Sequence, residues 1–215
     1  MSAAGVVYVV DDDPSFRTAV IRMLTAAGLS VQSYASGTEL LAHLASDKAT
    51  QGAGCVLADL RMPGLDGLQL QQACSAAGVG LPFVFLTGHG DVPSAVSAMR
   101  EGAVDFLDKC APQEALLASL ERALEREASA RAARERHEQL GRRFAALTER
   151  EREVLAHVVH GRMNKQIGAA LGIHERTVKL HRRAITTKLG VRSVAELTTL
   201  ARQAGLFEEP RQPCP

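Results

Sequence analysis

Four short, largely apolar runs each end in residues able to do chemistry. Val6-Val7-Tyr8-Val9-Val10 leads into Asp11-Asp12-Asp13, and Cys55-Val56-Leu57-Ala58 leads into Asp59. Phe83-Val84-Phe85-Leu86 leads into Thr87, and Val104-Asp105-Phe106-Leu107-Asp108 leads into Lys109. Runs of this kind, bounded by turn and helix signals, read as strands buried on both faces of a parallel sheet. Ligands of such sheets bind beyond the carboxyl ends of the strands. Carboxylates, a hydroxyl and an ammonium are therefore expected to converge at one edge. That set suits a divalent cation and a phosphoryl group. Taken singly, each residue has a plainer reading. Asp13 before Pro14 is expected to cap a helix, a threonine serves a turn, and a lysine is solvated surface. Their succession in one order favours a shared site.

The intervening segments supply helices. Pro14 to Ala27 reads as a helix with proline in its first turn and Gly28 as terminator. Val31–Tyr34 is a weak strand. Ser36-Gly37-Thr38-Glu39 has capping-box spacing and opens a second helix. Asp47–Gly54 reads as a loop. The turn Met62–Gly67 precedes a helix to about Ala77, and Asp91 can cap another to about Arg100. Five strands alternating with helices predict a doubly wound α/β sheet.

From Pro112 to about Phe144 strong helix formers dominate, with no glycine until Gly141. Leu117, Leu120 and Leu124 can pack on the sheet. Ala133, His137, Leu140, Phe144 and Leu147 form a short heptad-like seam, able to pair with a second chain or to lie on a single exposed helix. Thr148-Glu149-Arg150-Glu151 is a capping box for a helix through His160, ended by Gly161. Asn164 is expected to cap a helix to Leu171, ended by Gly172. A further helix covers Glu175–Leu189, and Ser193–Glu196 opens a last one to Ala204. These elements divide the chain into an α/β domain over 1–124, a helical linker over 125–146, an all-α domain over 147–206, and a tail over 207–215 expected to be disordered.

Charge follows the same division. Residues 1–111 hold 6 Lys and Arg against 11 Asp and Glu, whereas residues 112–215 hold 19 against 13. Only the second half is expected to meet a polyanion. No apolar run approaches the length of a membrane span, and Met1–Gly5 lacks signal-peptide features. A cytoplasmic protein without a membrane partner is predicted. Cys55, Cys74, Cys110 and Cys214 lack metal-ligand spacing and are expected to be reduced.

VVDDDPS, DLRMPGLDG, LTGHGD and DFLDK resemble the receiver domain of two-component response regulators. The resemblance implies a flavodoxin-like strand order 2-1-3-4-5. It makes Asp59 the phosphoacceptor, and Asp11 and Asp12 its partners in holding Mg²⁺ with the main-chain carbonyl of Arg61. Thr87 and Lys109 would contact the phosphoryl oxygens, and Phe106 would be the aromatic switch. A carboxylate is a nucleophile able to form an acyl phosphate, and Gly88 leaves room for an incoming donor. One departure stands out: the family has a cis proline directly after the lysine, whereas Cys110-Ala111-Pro112 follows Lys109 here. A cis bond before a non-proline residue costs about 2.5–4 kcal/mol, so the loop that aims Lys109 is expected to differ. Cys110 is read as an inert small side chain, with a redox-sensitive thiol as the alternative.

Leu147–Gly205 resembles the LuxR-type helix-turn-helix of FixJ/NarL-type regulators, through LTEREREVLAHVVHG, NKQIGAALGI and RTVKLHRRAITTKLGV. In Glu175–Leu189, Val178, His181, Ile185 and Leu189 share one helical face. Arg176, Lys179 and Arg183 lie on another, with Arg182 adjacent. The resemblance, with a recognition unit over about 164–183, places Lys179, Leu180 and Arg183 at base edges and Lys165, Thr177 and Arg182 at phosphates. His174 stands where the family has serine or threonine as N-cap, an imidazole being a poorer cap by up to ~1 kcal/mol. Leu197, Leu200 and Ala201 resemble the family's dimer face.

The expected function is a transcriptional regulator phosphorylated on Asp59 by a sensor histidine kinase. It would bind promoter double-stranded DNA, with homodimerisation on phosphorylation or DNA binding and RNA polymerase a candidate partner. No enzymatic turnover is expected beyond self-phosphorylation and slow autodephosphorylation. The rivals are an aspartate-nucleophile phosphatase of the haloacid-dehalogenase type, onto whose DxDx(T/S) start Asp11–Ser15 can be aligned, and an unphosphorylated regulator driven by a ligand or by Cys110 oxidation.

Overall fold

The computed structural model describes residues 5–46, 54–88 and 92–204. The chain divides into two compact units, Met1–Arg131 and Ala132–Pro215. The first unit carries β1 (Val6–Val10), α1 (Pro14–Ala26), β2 (Ser30–Tyr34), α2 (Gly37–Ser46) and β3 (Gly54–Ala58). It continues with α3 (Gly67–Ala76), β4 (Phe83–Thr87), α4 (Val92–Arg100) and β5 (Asp105–Asp108). A 33-residue helix, α5 (Gln113–Ala145), runs from the first unit into the second. The second unit adds α6 (Glu149–Val159), α7 (Asn164–Leu171), α8 (Glu175–Leu189) and α9 (Val194–Gln203).

The five strands are parallel in the order β2-β1-β3-β4-β5. Successive side chains of a strand point to opposite faces, and the sheet accordingly has two cores. Tyr8, Val10, Val56, Ala58, Phe83 and Phe85 pack with Leu40, Leu44, Leu70 and Ala98 of α2, α3 and α4. Val7, Val9, Cys55, Leu57, Val84 and Leu86 pack with Val20 and Leu24 of α1 and Leu116, Leu120 and Leu124 of α5. Burial on both faces explains the unbroken apolar spelling of the central strands. The edge strand β2 is half exposed, which explains its weaker signal. Burial also pushes the Cys55 thiol up to about 12 and the Cys74 thiol up to about 11, so both stay protonated, whereas Cys110 is exposed.

Helix starts follow the cap residues, with differences from expectation at α2, α7 and α9. Asp13, Asp66, Thr148 and Ser193 each accept a backbone N–H at the start of their helices. Asn164 does not cap α7. Met163 occupies that position, and Gln166 Oε1 accepts its N–H at 2.9 Å. Asn164 is instead the first helical residue, and its side chain is engaged elsewhere. At α2 the Ser36 hydroxyl accepts the Glu39 N–H at 3.3 Å as its spacing predicts, but Glu39 accepts from the N–H of Ala35 rather than that of Ser36. At α9 Glu196 likewise accepts from the N–H of Arg192 rather than that of Ser193. The expected cap at Asp91, residues 47–53 of the expected loop and the tail over 207–215 lie outside the described residues.

The heptad-like seam is split by burial. Phe144 and Leu147 are sequestered in the second unit's own core with Val154, Leu155, Ile167, Val178 and Ile185. Ala133 and His137 are exposed and Leu140 is half-buried.

Candidate functional site

The ends of β1 and β3 lie side by side because Val10 pairs with Ala58, and the N–H of Asp59 donates to the Val10 carbonyl at 2.8 Å. This brings Asp11, 3% exposed, beside Asp59, 8% exposed. The oxygens of Asp11, Asp12 and Asp59 lie within 4.8 Å of one another. Three carboxylates at that spacing, two buried and one exposed, are a donor set that fits a small hard divalent cation.

Lys109 closes the site from β5. Its Nζ lies 2.7 Å from Asp11 Oδ2 and 2.7 Å from Asp59 Oδ2. Its backbone N–H donates to the Thr87 carbonyl at 2.8 Å, which ties the exit of β5 to the exit of β4. Thr87 is buried, and Gly88 next to it is exposed. After Lys109 the turn is held by Asp108, whose Oδ1 accepts the Cys110 N–H at 2.7 Å. The Lys109 ammonium also sits 4.3 Å from the centre of the Phe16 ring.

Electrostatics follow from burial. Desolvation pushes the Asp11 carboxyl above its ordinary value, and the Lys109 partner offsets this only in part. Desolvation pulls the Lys109 ammonium down, but hydrogen bonds to Asp11 and Asp59 outweigh it and the group ends above its ordinary value. The lysine therefore stays charged inside the acidic cluster.

The supporting loops are close-packed. A Cβ added at Gly67 would lie 2.4 Å from the Asp59 carbonyl oxygen and 2.9 Å from the Phe85 ring. Only glycine lets α3 begin this near the chain that leaves β3. The Arg61 N–H donates to Asp59 Oδ1 at 3.2 Å. Phe106 is half-buried against the core on the α2–α4 face, its ring centre 6.2 Å from that of Phe85. One group of contacts was not visible in the sequence. Asp105 Oδ2 accepts from Ser119 at 2.6 Å and from Arg122 at 2.5 Å, which binds α5 to the strand carrying Phe106 and Lys109.

The second unit presents a helix surface. Val178, Ile185 and Leu189 of α8 are buried, and His181 is half-buried. Arg176, Lys179, Leu180 and Arg183 are exposed, Leu180 to 62%. Lys165 on α7 is exposed, while Thr177 and Arg182 are half-buried. Arg182 donates to Asn164 Oδ1 at 2.8 Å, and Lys179 pairs with Glu175 at 3.2 Å. The His174 side chain caps nothing; its carbonyl accepts from Thr177 and Val178 at 2.9 and 3.1 Å. The turn between α7 and α8 packs closely on Gly168 of α7, where a Cβ would lie 2.7 Å from the Ile173 carbonyl oxygen. Far from the turn, Lys188 donates to buried Glu151 at 2.7 Å and pins α8 to α6. Among the described residues no helix is long and apolar enough to cross a membrane.

Comparison with known proteins agrees with both halves. Residues 7–121 match the family model of the response regulator receiver domain, and residues 145–201 that of bacterial regulatory proteins of the luxR family. The transcriptional regulatory protein FixJ of Azorhizobium caulinodans is 38% identical over 201 residues, covering 93% of each chain. A low-resolution structure of the response regulator StyR superposes with a TM-score of 0.86 at 42% identity, over 93% of this chain and 99% of that one. Full-length FixJ from B. japonicum gives 0.57 at 36% identity, over 96% and 100%. A receiver implies a histidine kinase as phosphoryl donor, and a LuxR-type helix-turn-helix implies binding to DNA. The chain belongs to the response regulators of two-component systems and is a phosphorylation-dependent regulator of transcription.

Proposed function

We propose that Asp59 is the phosphoacceptor and that α8 reads promoter DNA. The observation that carries the first half is the bridging of Asp11 and Asp59 by one ammonium beside a third carboxylate. An Asp59 carboxylate oxygen attacks the phosphorus of the kinase phosphohistidine. The P–N bond breaks, the imidazole leaves with a proton, and an acyl phosphate forms. Lys109 is within reach of the new phosphoryl oxygens and offsets their charge. Asp11, Asp12, Asp59 and the Arg61 carbonyl would hold Mg²⁺, which supplies charge neutralisation at the phosphoryl group when bound. Thr87 follows the phosphoryl group and Phe106 moves with it, which biases the face of β5 and α4.

In the output half, Lys179, Leu180 and Arg183 face base edges, with Arg176 on the same basic face, and Lys165, Thr177 and Arg182 serve phosphates. Phosphorylation favours a homodimer on two half-sites, with RNA polymerase a candidate downstream partner. The protein works in the cytoplasm and turns over no substrate beyond loss of its own acyl phosphate. A hydrolytic phosphatase reading leaves Asp59 idle, although it lies within the same cluster as Asp11 and Asp12.

The test is incubation with acetyl phosphate and Mg²⁺, read by intact mass. One phosphoryl group is expected per chain, and none on Asp59→Asn. Labelling that survives Asp59→Asn refutes the assignment, as does continuous release of inorganic phosphate at a rate independent of Asp59.

A further inference from the structure

The first turn of α1 sets an aromatic face against the acidic site. Asp13 Oδ1 accepts from the N–H groups of Ser15 and Phe16 at 2.8 and 3.3 Å, which fixes where the helix begins. Phe16 is then half-buried, and its ring lies 4.3 Å from the Lys109 ammonium. The neighbouring Arg17 turns its guanidinium back onto the Asp11 carbonyl, so the same turn is tied to the exit of β1.

Three contacts therefore surround one ammonium: two carboxylates and a ring. The carboxylates change when the site works, because Asp59 becomes an acyl phosphate and Asp11 and Asp12 can take a cation. The ring does not change. Its negative face attracts a cation without accepting a proton, and it restrains a lysine stem that has four rotatable carbons. Resting on the reading of Asp59 as phosphoacceptor, we propose that Phe16 is a positioning residue for phosphoryl transfer. Its ring holds the Lys109 ammonium over the acidic cluster through the whole cycle. The competing reading is simple packing, since Phe16 also touches the core on the α1 and α5 face.

A double-mutant cycle on the full-length chain separates the two. The rate of phosphorylation by acetyl phosphate at excess Mg²⁺ is followed by intact mass. Phe16→Leu is expected to slow it by roughly 3- to 30-fold, the range that loss of a partly desolvated cation–π contact gives. Phe16→Tyr keeps the ring face and is expected to stay within about twofold of wild type. In a Lys109→Met background, Phe16→Leu is expected to cause no further slowing. Equal slowing in both backgrounds, or a wild-type rate for Phe16→Leu, overturns the role of Phe16 while Asp59 dependence stands. Labelling that survives Asp59→Asn overturns the phosphoacceptor assignment and this role together.

Discussion

The acidic site and the proposed DNA-reading surface are built in opposite ways. The first is assembled from strand ends far apart in sequence: Lys109 and Asp59 are 50 residues apart and meet at 2.7 Å. Its central carboxylates are buried. The second lies mainly along α8, with Lys165 on α7, and the side chains proposed to read DNA are mostly exposed. A buried convergent site gains strong electrostatics but depends on every backbone that feeds it. An exposed surface tolerates change and loses function by increments. Substitutions are therefore expected to act as all-or-none in the first and as graded in the second.

The largest expected contrast is between chemistry and reading. Asp59→Asn removes phosphorylation entirely and leaves thermal stability close to wild type. Lys179→Ala with Arg183→Ala leaves the phosphorylation rate unchanged and weakens specific promoter binding, each good base contact being worth about 1–3 kcal/mol. A promoter titration of the double variant that matches wild type would remove these residues from base recognition.

The glycines sharpen the comparison. Gly67→Ala and Gly168→Ala each force a methyl against a carbonyl oxygen, at 2.4 and 2.7 Å. Each is expected to cost about 1–3 kcal/mol, as overpacking does, read by thermal unfolding. Gly67→Ala should also slow acetyl-phosphate labelling, because the strained carbonyl belongs to Asp59. Gly168→Ala should spare labelling and weaken DNA binding. If both lose labelling equally, the idea of separable units is wrong.

Acid should affect the halves differently too. The Lys188 hydrogen bond, helped by the Thr148 N–H, holds the Glu151 carboxyl below its ordinary value of 4.5. A depressed carboxylate contributes stability above the unfolded value, and that stability is lost as pH falls through the folded one. The fall in stability of the helical unit below about pH 4.5 is thus expected to flatten in Glu151→Gln. Circular dichroism against pH reads this directly. The smallest effect belongs to Lys165: if it meets a phosphate, Lys165→Ala lowers the slope of log affinity against log salt by about 1.

Much of the fold was legible because burial on both faces leaves an unmistakable spelling. The runs ending at Asp11, Asp59 and Thr87 matched β1, β3 and β4 closely. The capping boxes at Asp66, with Gln69, and at Thr148, with Glu151, are local hydrogen-bond patterns; that at Thr148 was read directly from spacing. Long-range pairings were not legible. Nothing near Asp105 announces Ser119 and Arg122, and nothing near Glu151 announces Lys188. Phe16 reads as ordinary core from its helix position alone, and its neighbour is distant in the chain. Asn164 misled because a cap residue and a first helical residue differ by one position. Its side chain was claimed by Arg182 instead. Heptad spacing does not say whether the seam through Leu147 packs on a second chain or on its own unit; Phe144 and Leu147 are taken up by their own unit's core.

The hydrogen bond from Arg182 to Asn164 has a thermodynamic consequence. An arginine recruited from solvent gives up about 2 kcal/mol of rotamer freedom when it is immobilised. Arg182 has already surrendered part of that freedom on folding, at a point where α7 and α8 meet. On the proposed reading it would enter a DNA complex partly pre-set in position, and the neighbouring exposed arginines, Arg176 and Arg183, would keep more freedom to adjust.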